Sequence, residues 1–123
     1  MTQFLIVGQG VAGTCLGWKL WQQGATVRIV DDGHLTSSTR VAAGMVNPIT
    51  GKRLTLTPNW EDMLPAARAF YREVEDRCGV TIYHEMPLQR IHRNKNERTR
   101  VAKRRETPAY APYLGKDLPR DSL

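Results

Sequence analysis

The sequence predicts an α/β chain that opens on a parallel strand–helix–strand unit, and three observations carry that prediction. Residues 3–8 form an apolar run, and residues 25–30, Ala-Thr-Val-Arg-Ile-Val, form a second run rich in β-branched side chains. Between them lies a segment of helical length, which starts at three closely spaced glycines, Gly8, Gly10 and Gly13. Gly24 stands where a left-handed residue would end that helix.

The first strand is expected to stop at Gly8. The helix should turn Val11, Cys15, Leu16, Leu20 and Trp21 inward, because these recur at helical spacing. A strand, a helix and a second strand in this order imply a right-handed crossover and two parallel strands. Residues 33–58 then read as a long connection, with turn signals at Asp32-Gly33, Asn47-Pro48 and Thr50-Gly51. A second helix follows, capped by Asn59 and ended by Gly79, with Met63, Ala67, Phe70, Val74 and Cys78 along one face. Pro65 sits early in it, where it is best tolerated. Short strands are expected at residues 80–84 and 88–91. The chain thus divides into residues 1–58, 59–92 and a basic, proline-containing tail at 93–123, where apolar content drops and mobile structure is expected.

A chain of 123 residues suits one core. The longest apolar run, Phe4–Val7, is far too short for a bilayer, and the start of the sequence lacks the pattern of a secretory leader, so a cytoplasmic protein is expected. Cys15 and Cys78 match no metal or redox spacing and are read as core thiols. The net charge of +6 is local: residues 90–106 hold eight Lys/Arg and two Glu, and the rest of the chain holds ten of each sign. A phosphate-binding role for that stretch lacks aromatic residues for stacking on bases, so a solvated segment is the favoured reading over a nucleic-acid contact.

The chemistry concentrates in Gly8-Gln9-Gly10-Val11-Ala12-Gly13, a G-x-G-x-x-G pattern between an apolar strand and a helix. Asp31 follows Gly8 by 23 residues, at the end of the second strand. Together these make a Rossmann-like dinucleotide fingerprint. Gly8 permits the tight turn, Gly10 lets backbone approach a pyrophosphate, and Gly13 lets the helix pack on the strand. The N–H groups of Val11, Ala12 and Gly13 at the helix start then face the phosphates. Asp31 would accept hydrogen bonds from a ribose, which disfavours the 2′-phosphate of NADP; Asp32 either shares that task or is solvated. The fingerprint leaves FAD and NAD open.

The next segment resembles the FAD-dependent oxidoreductases of the D-amino-acid oxidase superfamily, which includes glycine oxidase, sarcosine oxidase and the oxidoreductase half of a tRNA wobble-uridine modification enzyme. The residues that carry the resemblance are the hydroxyl-rich stretch Thr36-Ser37-Ser38-Thr39-Arg40, the run Ala42-Ala43-Gly44-Met45, and Pro48. The resemblance implies that the hydroxyl stretch, with Ser38 and Thr39, lies along the pyrophosphate and that backbone at Ala43, Gly44 and Met45 passes close to the flavin; Arg40 either pairs with phosphate or is solvated. Small side chains suit that approach. It also implies FAD as cofactor and, for the intact protein, hydride transfer from a C–N bond of a small-molecule amine or amino acid.

Such enzymes run to roughly two or three times this length, so the chain reads as an amino-terminal piece: an incomplete βαβ unit with the start of a substrate-domain region, expected to be inactive by itself. Uncovered sheet edges would favour a homo-oligomer. No catalytic residue is nominated, since His34, His84 and His92 fall in no recognisable constellation. The alternatives are the NAD-binding domain of a dehydrogenase, and an RNA-contacting part of a tRNA-modifying flavoenzyme.

Overall fold

The computed structural model describes residues 3–118 and divides into two compact units, Met1–Val46 and Asn47–Leu123. In the first, strand β1 (Gln3–Val7) pairs in parallel with β2 (Thr26–Val30), and helix α1 (Val11–Gln22) makes the crossover between them. The register is direct, Ile6 opposite Ile29 and Val7 opposite Val30, and the Gly8 N–H extends the ladder to the Val30 carbonyl at 2.8 Å. Gly24, at φ +78°, lets the chain leave α1 and turn into β2. A one-turn helix α2 (Ser38–Val41) lies inside the stretch expected to be irregular.

Strand alternation decides which side chains α1 covers. Ile6 is buried at 8% exposure and Ile29 is half-buried, and both face Gly17 of α1. A Cβ on Gly17 would stand 3.1 Å from the Ile29 Cδ1 and 3.4 Å from the Ile6 Cδ1, so the helix sits as close as its missing side chain allows. The other face of the pair carries Leu5, Val7 and Val30, exposed at 65, 82 and 52%. Doubly wound sheets cover both faces. The described residues therefore hold one covered face of an incomplete Rossmann-like α/β unit.

The inward face of α1 differs from the periodicity. Gly13 and Gly17 pack against the turn and strands, whereas Val11, Leu16 and Trp21 are exposed. Glycine carries no hydrophobicity signal, so a helix that packs through glycines is misread by a rule that follows large apolar residues.

In the second unit, strands β3 (Ile49–Thr50) and β4 (Thr55–Leu56) make a short antiparallel hairpin. Helix α3 (Trp60–Cys78) follows, and Gly79 ends it at φ +66° as the sequence implies. Asn59 holds the amino-terminal cap position in a left-handed conformation, without a side-chain cap bond. Cys78 is exposed and Cys15 half-buried, so only the second approaches the expected core thiol, and its burial pushes the thiol pKa up. No strands form at 80–84 or 88–91. The N–H groups that would join a ladder are taken locally: Ile82 and Tyr83 both donate to the Glu75 carboxylate, at 2.7 and 2.8 Å, and Tyr83 stacks on Tyr71.

Beyond residue 93 the expected tail forms helix α4 (Lys95–Arg105) and a 3-10 turn (Ala111–Tyr113). Asn94 caps α4 by accepting the Glu97 N–H at 2.9 Å. Ile49, Leu54, Val101 and Tyr110 make a small buried cluster that joins hairpin to α4, and the Tyr110 hydroxyl accepts the Leu56 N–H at 3.3 Å. Two apolar residues of the basic tail, Val101 and Tyr110, suffice to dock it. Among the described residues, no helix is long and apolar enough to cross a membrane.

Candidate cofactor site

Each glycine of the turn between β1 and α1 meets a different physical requirement. Gly8 adopts φ +99°, a conformation that side-chain-bearing residues rarely take. A Cβ on Gly10 would come within 3.1 Å of the Thr39 Oγ1. A Cβ on Gly13 would overlap the Gly8 carbonyl oxygen and stand 3.3 Å from the Ile6 Cγ2, so only glycine lets α1 start this close to the strand. The spacing of the three glycines thus reflects one dihedral angle and two close approaches.

The carboxylate of Asp31 is aimed at this turn. Its Oδ2 accepts the Gln9 N–H at 2.6 Å and its Oδ1 accepts the Gly33 N–H at 2.8 Å. These two N–H groups, Gln9 first, hold the carboxyl below its usual range, and the nearby positive charge of Arg40 adds to the effect. A carboxylate oxygen has a second lone pair, so an Asp31 anchored in this way can still accept a sugar hydroxyl. Asp32 does something else: it accepts the His34 N–H at 3.1 Å and closes a local turn.

Thr39 is the member of the hydroxyl-rich stretch that reaches the turn. Its Oγ1 accepts the Val11 N–H at 3.0 Å, which places a hydroxyl oxygen at the start of α1. Gly10, the cap residue of α1, has no side chain to do this. The N–H groups of Ala12 and Gly13 have no acceptor among the described residues, as expected for a helix first turn awaiting an anion. Ser38 and Arg40 are exposed on α2, and neither hydrogen bonds to the turn. Ala43, Gly44 and Met45 follow in exposed, irregular backbone, with Gly44 at φ +68°, and no hydrogen bond among the described residues joins them to the turn.

One contributor escaped the sequence reading. Gln9 occupies a variable position of the pattern, and its backbone N–H, which any residue but proline would supply, ties Asp31 to the turn. Nothing in residue type signals it. Among the described residues, no group of three or more His, Cys, Asp or Glu side chains could hold a metal ion.

The residues present fit a dinucleotide's diphosphate and adjoining ribose: bare amides at a helix start, a glycine turn closed to side chains, and a carboxylate beside it. No solved structure matches this chain. The family model described as FAD dependent oxidoreductase (DAO) matches residues 3–119. FAD is the cofactor that this match implies, in place of the NAD left open by the fingerprint. The chain accordingly belongs to the DAO family of FAD-dependent oxidoreductases.

Proposed function

We propose that this chain holds the adenosine-diphosphate end of FAD in an oxidoreductase that oxidises a C–N bond of a small amine or amino acid. The observation that supports the nucleotide part is the pairing of Asp31 with the Gln9 N–H across a turn in which Gly8 holds a positive φ, Gly10 leaves little room beside Thr39 and Gly13 admits no Cβ. On this reading the amides of Ala12 and Gly13, together with the Thr39 hydroxyl that the Val11 N–H orients, receive the diphosphate, and Asp31 receives the ribose hydroxyls. Ser38 and Arg40 border the phosphates. The backbone of Ala43, Gly44 and Met45 serves the isoalloxazine, and Asp32 contributes only through its local turn.

When bound, FAD supplies the two-electron acceptor for the oxidation. The part of this chain is to bind and orient it. The residues present anchor the nucleotide, so the chain alone is expected to bind FAD without measurable oxidation of amino acids.

The test is a titration of the full chain with FAD, followed by quenching of flavin fluorescence, against the variants Gly10→Val and Asp31→Ala. Saturable binding that weakens at least tenfold in both variants is expected, because the first fills the phosphate approach and the second removes the ribose acceptor. Equal affinity for ADP-ribose and FAD in wild type is also expected if only the nucleotide end is gripped. Unchanged FAD affinity in both variants would remove the assignment.

A further inference from the structure

We infer that the second unit carries a binding site for a phosphate dianion, between the β3–β4 loop and the first turn of α4. Two recesses of about 330 and 240 Å3 adjoin there and share Lys52, Arg93 and Glu97; Arg90 lines the larger, and Asn96 and Arg100 line the smaller. The walls are held in place. Arg100 donates to the Lys52 carbonyl at 2.8 Å and Arg90 to the Gly51 carbonyl at 3.4 Å, which fastens the hairpin loop to the α4 side of the recess.

Charge accounting points to an anionic ligand. Glu97 is the acidic residue of the recess, and it is only 8% exposed. Its oxygens are already occupied: Arg90 donates to Oε1 through Nε at 3.0 Å and Nη2 at 2.7 Å, and the Arg93 N–H donates to Oε2 at 3.0 Å. That leaves Lys52 and Arg100 with no acidic partner among the described residues, and Arg93 beside a carboxylate whose oxygens Arg90 and a backbone amide already occupy. Elsewhere on the same helix several cations are matched. Arg98 and Arg105 both lie on Asp117, at 3.7 and 2.8 Å, and Arg104 sits 4.5 Å above the Tyr110 ring. The recess, by contrast, sets Lys52, Arg90, Arg93 and Arg100 against the one carboxylate of Glu97.

Three like charges around one cleft repel each other and concentrate counter-ions. A phosphate group relieves this best, because it carries nearly two charges at neutral pH and offers several acceptor oxygens. Guanidinium groups match those oxygens in pairs, and the Asn96 amide adds an uncharged donor. No aromatic residue lines the recess, so a nucleic acid would find phosphate contacts there without a surface for its bases. A free phosphate or phosphomonoester is the ligand this arrangement favours over a phosphate of single-stranded RNA.

The test uses the full chain with saturating FAD, titrated at constant ionic strength with inorganic phosphate and, separately, with a short single-stranded RNA. Amide NMR shifts of Lys52, Arg93 and Asn96 report this recess independently of Gln9, Val11 and Ala12 at the glycine turn. Phosphate is expected to move the first group in a saturable way. Lys52→Gln and Arg93→Gln should each weaken it about tenfold, the scale of a charge-assisted hydrogen bond. Neither side chain makes a hydrogen bond among the described residues, so the variants should keep the wild-type spectrum elsewhere. Lys103→Gln, an equal loss of charge on α4 outside the recess, should weaken binding less than twofold. Equal weakening by Lys103→Gln, or no saturation, would overturn the site. RNA that binds more tightly than phosphate, with steep loss in salt, would overturn the small-ligand form of the proposal.

Discussion

The two units of this chain are organised by opposite means. The first is built on residues that lack side chains: Gly8 supplies the positive φ of the turn, and Gly10, Gly13 and Gly17 set how closely α1 approaches Thr39 of α2, β1 and β2. Its large apolar residues, Leu5, Val7 and Val30, lie on an uncovered sheet face. The second unit is built on residues that have them. Leu54, at 1% exposure, is the most deeply buried side chain, and with Ile49, Val101 and Tyr110 it joins hairpin to helix. Geometry that must admit a cofactor calls for empty space, whereas geometry that must only hold together calls for filled space.

The contrast is broken most severely at Gly13. Gly13→Ala puts a methyl group into the Gly8 carbonyl, and backbone cannot swing aside as a flexible side chain would. A loss of about 3 kcal/mol is expected, the upper part of the range for overpacking, with FAD binding abolished. Thermal denaturation and flavin fluorescence read the two effects. Gly17→Ala, which meets only the movable ends of Ile29 and Ile6, should cost less and leave FAD binding measurable.

In the second unit the corresponding blow is subtractive. Leu54→Ala removes the centre of a small cluster and should destabilise it by about 2 kcal/mol, the low end for a buried leucine because few neighbours line the cavity. Leu54 also adopts φ +54°, and the alanine variant keeps that strain. Hydrogen exchange is expected to rise in α4 while Ile6 and Ile29 keep their protection. Loss of protection in β1 and β2 to the same degree would erase the distinction between the units.

A gentler probe of the same cluster is Tyr110→Phe. It keeps the ring under Arg104 and deletes the hydroxyl that accepts the Leu56 N–H, for an expected cost of about 1 kcal/mol by chemical denaturation.

The smallest effect sharpens the first unit through pH. The Gln9 and Gly33 N–H groups depress the Asp31 pKa, so the folded state binds that proton less readily than the unfolded chain does. The stabilisation is complete above the ordinary carboxylate range and is lost as pH falls through the lowered folded value. Measured against the intrinsic rate at each pH, the Gln9 amide should therefore lose protection on acidification in the wild type. In Asp31→Asn its protection should be low already at neutral pH and change little over that window.

How much of this was legible beforehand follows from what each signal measures. The βαβ unit, the glycine turn, Asp31 and the Gly24 and Gly79 helix ends were readable, because dihedral preference and hydrophobic period are local properties of residue type. Thr39 was legible only as part of a hydroxyl-rich stretch; which of its members meets the Val11 N–H depends on how α2 folds back. Neither strand expected at 80–84 and 88–91 forms, and for the first the reason is one that no period contains. A strand needs a neighbour, and Glu75 reached the Ile82 and Tyr83 amides instead.

Sequence alone determined the glycine turn, since a positive φ, a close helix approach and an acidic strand end are each imposed by single residues at fixed spacing. Tertiary structure alone decided that Asp31 braces the turn through Gln9, that Val101 and Tyr110 turn a charged stretch into a docked helix, and that Lys52, Arg93 and Arg100 face one recess. Those outcomes rest on contacts between residues distant in the chain, and chain order carries no record of which distant groups meet.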